Sequence, residues 1–308
     1  MTTNSHYPVL LKESIELLDV KANGVYVDGT FGRGGHTKEI LARLGPDGKL
    51  IAFDKDPDAH AYAGEYFKDK RLTLVHDSFA NMTDCLANLG IKQVDGILLD
   101  LGVSSPQLDD EKRGFSFRFD APLDMRMDTH SGVSAKEWIN SVVESELADV
   151  LWNYGEERFN KRIAKAIVDK RQSAPIETTK QLADIIDNAM PFKEKGKNPA
   201  TRSFQAIRIF INNELGDLEL LLAQIPELLA ISGVMVVISF HSLEDRIVKN
   251  AFNGLAKAKS LPKWVMAEPE LPNYQVIAKK VKASVSELEE NVRSRSSILR
   301  AIKHLRGA

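Results

Sequence analysis

Several features that this sequence lacks narrow the class of protein to consider. The 308 residues include a single cysteine, Cys85, which excludes an internal disulfide and a zinc site built from cysteines. No run of about 18 apolar residues occurs, so we expect no membrane-spanning helix. The first residues, MTTNSHYPVLLKES, contain no basic stretch followed by an apolar core, so we expect no secretory signal. These absences favour a cytoplasmic protein.

The sequence also lacks a large excess of charge of either sign. It carries 41 Lys/Arg and 43 Asp/Glu, for a formal net charge of −2, but the charges are unevenly spread. Residues 155–210 hold 12 Lys/Arg against 7 Asp/Glu, and residues 271–308 hold 8 against 3. Such basic regions are found both on surfaces that bind polyanions and on ordinary solvated helix faces, and the charges alone leave both interpretations open.

The most informative stretch that is present is VYVDGTFGRGGH, residues 25–36. Its apolar start is typical of a buried strand, its glycines of a tight turn, and the following residues 36–45 of a helix. Glycines allow positive φ and let a ligand lie close to the backbone, and the start of the helix offers free N–H groups. The stretch predicts a site for a nucleotide-like ligand, with a plain turn between strand and helix as the alternative.

The spacing of these glycines argues against a dinucleotide. The dinucleotide fingerprint G-x-G-x-x-G, started at Gly32, continues with Gly34 but meets Thr37 where the third glycine should stand. Asp28 directly precedes the glycines, where its carboxylate would repel a pyrophosphate. S-adenosylmethionine carries an ammonium and a sulfonium and no phosphate, so the pattern favours this cofactor over NAD.

Three later residues follow predicted strands and are further candidates for the site. Asp54 ends the strand LIAFD, where an acidic residue can accept hydrogen bonds from both ribose hydroxyls of an adenosine. Phe79 follows the strand in residues 71–79 and is placed either to stack on the adenine or to fill the core. Asp100 ends the apolar run of the strand predicted in residues 94–105, at the edge where open α/β sheets bind their ligands. Asp56 is better suited to cap the next helix than to bind the cofactor.

The order of the predicted elements indicates the fold class. Strands and helices alternate up to about residue 105, helical patterns alone follow, and strand patterns return at 232–240, 274–280 and 296–304. A long helix is predicted over 203–229. We therefore predict an α/β protein with a Rossmann-like seven-stranded class I methyltransferase sheet, formed by residues 1–105 and 203–308. Residues 106–202 are predicted to form an inserted small all-helical domain that recognises the substrate.

With these segments in place, the chain resembles a known family. It is similar to the bacterial ribosomal RNA small subunit methyltransferase H family, which uses S-adenosylmethionine to methylate the exocyclic amino nitrogen of a cytosine in 16S ribosomal RNA. The two most specific matches are DLGVSSPQLD and SFHSLEDRIVK, long strings that the fold does not require. The remaining matches are VDGTFGRGGH, FDKDP, RGFSF, PLDMRMD, YGEERF, FQAIRI and RSSILR.

The resemblance implies a cofactor, a partner and a set of site residues. The cofactor is S-adenosylmethionine and the partner is the 16S ribosomal RNA of the small ribosomal subunit. The cofactor contacts carried over are Gly34, Gly35, His36, Asp54, Phe79, Asp100 and Gln107. His36 and Gln107 enter through the resemblance alone. Many amino-group methyltransferases carry Asp/Asn-Pro-Pro-aromatic after the fourth strand, where this chain has Asp-Leu-Gly-Val-Ser-Ser-Pro, so their detailed chemistry does not transfer directly.

The expected chemistry centres on Asp100. A carboxylate hydrogen-bonded to the cytosine amino group would direct its lone pair to the methyl group and accept charge as the bond forms. Asp100 could instead hold the ammonium of the methionine moiety, with a backbone carbonyl of LGVSS as the acceptor. For RNA, the mixture of Phe and Arg at 113–126 could supply stacking and phosphate contacts, and so could the basic helix at 156–171. No cluster of His, Cys and Asp indicates a metal.

Two other classes of function are compatible with parts of this pattern. One is a non-catalytic RNA-binding protein that keeps the fold, and the intact glycine turn and Asp54 argue against it. The other is a methyltransferase that acts on a different nucleic-acid amino group. An NAD-type oxidoreductase is disfavoured by the missing third glycine.

Overall fold

A computed structural model describes residues 7–192, 198–258 and 271–306 of this chain. The chain divides into two compact units. The first unit comprises residues 1–102 and 215–308, and the second comprises residues 103–214.

The first unit is built on a seven-stranded sheet with the strand order β3-β2-β1-β4-β5-β7-β6. Strands β1 to β5 run parallel to one another, and β7 is antiparallel to both β5 and β6. The predicted Rossmann-like seven-stranded α/β sheet is thereby confirmed. The strands are β1 Val25–Asp28, β2 Lys49–Asp54, β3 Leu72–His76, β4 Val94–Asp100, β5 Leu229–Ser239, β6 Tyr274–Val281 and β7 Ile298–His304.

The central strands of this sheet are covered on both faces. Ile97, Leu98 and Leu99 of β4 are completely buried, as expected for a parallel strand between two layers of helices. The parallel register places the carboxyl ends of β1, β2, β4 and β5 along one edge of the sheet. Asp28, Asp54 and Asp100 are the last residues of three of these strands, so the sequence places three acids at this edge.

Thirteen α-helices occur among the described residues, of which α5 to α10 belong to the second unit. They are α1 Leu11–Leu18, α2 Gly35–Arg43, α3 Pro57–Tyr66, α4 Met82–Asn88, α5 Ser105–Asp109, α6 Ala135–Ser141, α7 Glu144–Gly155, α8 Asn160–Arg171, α9 Thr179–Ala189, α10 Ala200–Ile211, α11 Glu214–Leu228, α12 Ser242–Leu255 and α13 Val285–Glu290. None of the described helices is both long enough and apolar enough to cross a membrane.

Sequence signals explain where several of these helices begin and which face they bury. Helix α1 buries Leu11, Ile15 and Leu18, as its spacing predicts. The side chain of Asp56 accepts a hydrogen bond from the backbone N–H of Asp58, which confirms its predicted role as the N-cap of α3. In the second unit, Thr178 begins α9 with a reciprocal capping box.

The second unit has its own apolar core, formed by its helices and by the segment that precedes α6. Trp138, Leu147, Ile163, Leu182 and Phe204 are among the side chains buried there. The insertion is helical, as predicted, and a single β-bridge between Pro122 and Thr178 lies outside the helices.

The predicted long helix over 203–229 is wrong in one respect. Helix α10 ends at Ile211 and α11 begins at Glu214, because Asn213 adopts a left-handed conformation with φ 51°. The apolar spacing continues across the break, so the sequence pattern could not show it. Part of the predicted basic loop at 191–202, residues 193–197, lies outside the described residues.

Candidate active site

The glycine turn connects β1 to α2 and depends on its glycines for its own shape. Gly32 and Gly34 have positive φ values of 55° and 71°, which side-chain-bearing residues rarely adopt. A Cβ atom at Gly34 would lie 2.2 Å from the Phe67 ring, and one at Gly35 would lie 2.2 Å from Pro8. Gly34 and Gly35 are therefore required for the turn to fold, apart from any contact with a ligand.

The role expected of Asp28, which was to face the ligand, is not what the structure shows. Asp28 is completely buried. Its carboxylate accepts hydrogen bonds from the hydroxyl of Thr37 at 2.7 Å and from the backbone N–H of Thr30 at 3.1 Å. Asp28 thus ties the end of β1 to the turn and to α2, and it acts on the site only through its charge.

Asp54 at the end of β2 holds the turn from the other side. One carboxylate oxygen accepts the backbone N–H of Gly32 at 2.8 Å, and the other accepts that of Asp56 at 2.9 Å. Burial raises the pKa of Asp54 to about 6, although the two backbone hydrogen bonds act in the opposite direction. Each oxygen of a carboxylate has a second lone pair, so the group can still accept the two ribose hydroxyls expected of it.

Phe79 begins a short 3₁₀ turn after β3 and is half-buried. It packs against the apolar cluster that contains Val27, Ile51 and Leu99. A Cβ atom built on Gly29 would lie 3.4 Å from the Cβ of Phe79, which places the phenylalanine beside the end of β1. Phe79 therefore packs in the core. Because its side chain is also partly exposed, its stacking on the adenine stays a prediction.

His36 and Asp100 approach each other at the edge of the sheet. The Nδ1 of His36 lies 3.9 Å from the Oδ2 of Asp100, and the backbone N–H of Asp100 donates to the hydroxyl of Thr30 at 2.7 Å. Burial lowers the pKa of His36 to about 4, so the imidazole is neutral at pH 7. The two side chains therefore meet as a carboxyl group and a neutral ring, not as an ion pair.

Both residues carry a polar atom that has no partner within the described part of the chain. The atoms are the buried Nε2 of His36 and the buried Oδ1 of Asp100. A buried polar atom without a hydrogen bond costs about 1–3 kcal/mol, so native structures keep few of them, often where a ligand binds. Two such atoms on neighbouring side chains mark this edge as a binding site.

The charge at this edge fits a cationic ligand. The pKa of Asp100 is raised well above its ordinary value, first by burial and then by the negative charges of Asp28, Glu244 and Glu287. A phosphate placed here would add a further negative charge, whereas an ammonium or sulfonium would relieve the repulsion. The charge of this edge therefore fits S-adenosylmethionine, and the ribose contact predicted for Asp54 is compatible with its free lone pairs. Among the described residues, no group of three His, Cys, Asp or Glu side chains is arranged to hold a metal.

Gln107 belongs to the second unit and takes part in a local motif. Its side-chain oxygen accepts the backbone N–H of Ser104 at 2.9 Å, and Ser104 caps α5 in return. This capping box explains why the residue is buried. Its contact with the cofactor remains a prediction that comes from the resemblance.

The Phe and Arg residues at 113–126 divide between the interior and the surface: Arg118 and Phe119 are exposed, so their contact with RNA stays a prediction. Arg113 is buried and donates to the carbonyls of Arg126 and Met127 at 3.1 and 2.8 Å. Phe117 packs edge to face on Phe204 at a centroid distance of 5.1 Å. The segment has no clean periodicity, and of its aromatic residues Phe115 and Phe117 pack into the core of the second unit.

The basic face predicted for α8 is present. Lys161, Arg162 and Lys165 are exposed, whereas Ile163 and Ile167 are completely buried. Lys165 forms an exposed ion pair with Asp169 at 3.2 Å, a contact of small energetic weight.

Sequence reasoning missed one group near the site, which is His241 and Glu244 at the start of α12. Both lie within the string SFHSLEDRIVK, which entered the argument only as a family resemblance. Glu244 is 2% exposed, and its charge reaches Asp100. The signal that could have found them is the capping-box spacing of His241 and Glu244 directly after a buried strand.

Comparison with known proteins identifies relatives along almost the entire chain. The MraW methylase family matches residues 3–305. A protein of Marinomonas sp. named ribosomal RNA small subunit methyltransferase H is 52% identical over 99% of this chain and 98% of its own length. Proteins of the same name from Neisseria meningitidis serogroup B and Janthinobacterium sp. are 51% and 52% identical, over 98% and 97% of this chain and 93% and 94% of theirs.

Proposed function

The chain belongs to the MraW methylase family, and from this premise we propose that it methylates the exocyclic amino nitrogen of a cytosine in small-subunit (16S) ribosomal RNA. The methyl donor is S-adenosylmethionine. The relatives named above are small-subunit ribosomal RNA methyltransferases, and the choice of cytosine comes from the resemblance of the site motifs.

The observation that best supports this proposal is the state of Asp100. It is an acid at the ligand edge of the sheet, with a buried oxygen that lacks a partner and no cation among the groups that shift its pKa. Such a group is costly to the fold unless a bound molecule uses it. Both molecules of the proposed reaction offer suitable donors, the cofactor through its ammonium and cytosine through its amino group.

The bound cofactor supplies an electrophilic methyl group on a sulfonium, so the protein has mainly to position the nucleophile. The lone pair of a cytosine amino group is delocalised into the ring, which makes the nitrogen a poor nucleophile. Asp100 accepts a hydrogen bond from one amino N–H and turns the lone pair toward the methyl group. Because its pKa is raised, Asp100 is also a better base than an ordinary carboxylate for the proton that the nitrogen loses.

The remaining site residues hold the cofactor in this proposal. Asp54 accepts the ribose hydroxyls, and Phe79 lies against the adenine. The glycine turn, with Gly34 and Gly35, presents backbone N–H groups, and His36 offers the lone pair of its neutral ring. Gln107 is a further contact in this proposal, taken from the resemblance.

RNA binding is assigned to the second unit. The target base must leave its stack to reach the cofactor, so the enzyme needs contacts to the surrounding backbone. The exposed cations of α8, Lys161, Arg162 and Lys165, are suited to phosphate oxygens. We therefore assign substrate recognition to residues 106–202, and cofactor binding, apart from the contact of Gln107, to residues 1–105 and 203–308.

A direct test uses small ribosomal subunits that lack the modification. The protein is incubated with S-adenosylmethionine labelled in its methyl group, and the modified nucleoside and its position are mapped. We expect the label in N4-methylcytidine of 16S RNA. Label in N6-methyladenosine, or cofactor binding without transfer to any subunit or RNA substrate, would contradict the proposed function.

A further inference from the structure

His241 precedes α12 and has no role in the cofactor site described above. Its side chain is 10% exposed, and its buried Nε2 has no hydrogen-bond partner in the described part of the chain. The Oε1 of Glu244 lies 3.1 Å from this nitrogen, but the angle does not make a hydrogen bond. A buried histidine with a spare polar atom at the ligand edge of a sheet is a candidate for contact with a bound molecule.

The capping box fixes how His241 presents its ring. Its Nδ1 accepts the backbone N–H of Glu244 at 3.4 Å, so in the neutral ring the proton resides on Nε2. Glu244 in return accepts the backbone N–H groups of Phe240 and His241 at 2.8 and 3.3 Å. His241 therefore offers a hydrogen-bond donor, held in place by two reciprocal contacts.

This donor follows β5, the strand that pairs with the end of β4 at Asp100. Asp100 is in register with Ile238, and the backbone N–H of Leu101 donates to the carbonyl of Ile238 at 3.0 Å. A Cβ atom built on Gly102 would lie 3.9 Å from the ring of Phe240, so the chains that leave β4 and β5 remain in contact beyond the strands. The charge of Glu244, which touches His241, is felt at Asp100.

The hydrogen-bonding groups of Asp100 and His241 are complementary to the pairing edge of cytosine. Asp100 is an acceptor, and the Nε2–H of His241 is a donor. The pairing edge of cytosine presents the amino group, a donor, next to N3, an acceptor. Uracil presents the reverse pattern, because its O4 accepts and its N3–H donates.

We propose that His241 donates a hydrogen bond from Nε2 to the ring N3 of the target cytosine while Asp100 accepts one from the amino group. His241 is then a specificity-determining residue that rejects uracil and fixes the amino nitrogen opposite the methyl group. This inference rests on the proposed function, because it assumes that cytosine is the substrate.

The test combines one protein variant with one altered substrate. His241→Asn keeps a good helix cap but removes the imidazole N–H. Small subunits reconstituted with 3-deazacytidine at the target keep the amino group but replace N3 by C–H. We expect either change alone to lower kcat/KM by about tenfold to a hundredfold, and the two together to lower it no further than one.

Independent effects that multiply would overturn the inference, because the two groups would then not interact. Equal rates of the wild-type protein on the cytidine and 3-deazacytidine subunits would overturn it as well, and this comparison decides even if His241→Asn does not fold. The affinity for S-adenosylmethionine and the Tm of His241→Asn should match those of the wild type. Absence of methyl transfer by the wild type to normal subunits would instead reject the proposed function itself.

Discussion

Buried polar groups are treated in opposite ways in the two units. At the strand ends of the first unit, the buried Oδ1 of Asp100 and Nε2 of His36 lack partners among the described residues, and several acids repel one another. In the second unit, Asn212 is buried with both ends of its amide engaged. It donates to the carbonyl of Met125 and accepts from the backbone N–H of Met127, each at 2.7 Å.

The difference separates polar groups that build the fold from those that wait for a ligand. The side chains of Asn212 and Arg113 form hydrogen bonds with backbone groups of the irregular segment around 113–127. Removing either side chain should therefore reduce stability. Asp100 contributes nothing comparable to the fold, so removing its charge should reduce activity and not stability. Ser203, a buried hydroxyl without a partner in the second unit, is neutral and so far less costly than a carboxylate.

The largest expected effect tests this distinction directly at Asp100. Asp100→Asn keeps the shape of the side chain but loses its charge, so turnover should fall by about 100- to 1,000-fold if the carboxylate orients the amino group. Cofactor affinity should change much less. Steady-state kinetics and calorimetry on the same variant measure both quantities.

The opposite pattern of changes in turnover and cofactor affinity would change the role assigned to Asp100. A large loss of affinity with turnover preserved at saturating cofactor would show that the carboxylate holds the methionine ammonium instead. Asp28→Asn is the comparison variant, because Asp28 is a fully buried acid at the end of the neighbouring strand whose oxygens already have protein partners.

The second effect concerns Asp54, which holds the glycine turn through two backbone hydrogen bonds and is also proposed to bind the ribose. Asp54→Ala should weaken binding of S-adenosylmethionine by roughly 2–3 kcal/mol, or about 30- to 150-fold, because two hydrogen bonds to a carboxylate are lost. Calorimetry gives the affinity. Asp56→Asn, which keeps the cap of α3, serves as the control, and an unchanged affinity for Asp54→Ala would remove Asp54 from the site.

The third effect tests Asn212, a buried polar residue that supports the fold of the second unit. Asn212→Ala should lower the free energy of unfolding by about 2 kcal/mol, because two buried backbone groups lose their partners. The affinity for S-adenosylmethionine should stay at the wild-type value. Urea denaturation monitored by circular dichroism measures the first quantity, and a variant of unchanged stability would contradict the structural role given to this amide.

The fourth effect tests whether the second unit also carries a functional surface. Replacing Lys161, Arg162 and Lys165 by Gln should weaken RNA binding by roughly tenfold and reduce the dependence of affinity on salt, because fewer counterions are released. Cofactor affinity should not change. A salt dependence equal to that of the wild type would show that this face of α8 is merely solvated.

The sequence predicted much of the first unit because its signals are local. Apolar runs that end in an acid located β1, β2 and β4, and the glycine turn located the ligand edge. The effect of Glu244 on Asp100 was missed, because it depends on the register between β4 and β5, two strands separated by more than 100 residues. The break at Asn213 and the burial of Arg113 were missed for a similar reason, since tertiary contacts override the local pattern there.

The smallest expected effect is on stability, and its sign is opposite to that of most substitutions in a protein interior. Burial and neighbouring acids raise the pKa of Asp100, so the folded protein binds a proton there more tightly than the unfolded chain does. The stability linked to this proton is complete below the unfolded pKa of about 4. It is lost as the pH rises through the raised folded pKa. Asp100→Asn cannot lose the proton, so it should be more stable than the wild type at pH 8, by roughly 1 kcal/mol or about 2–4 °C in Tm. The difference should disappear near pH 4, and a Tm lowered at pH 8 would show that the carboxylate supports the fold after all.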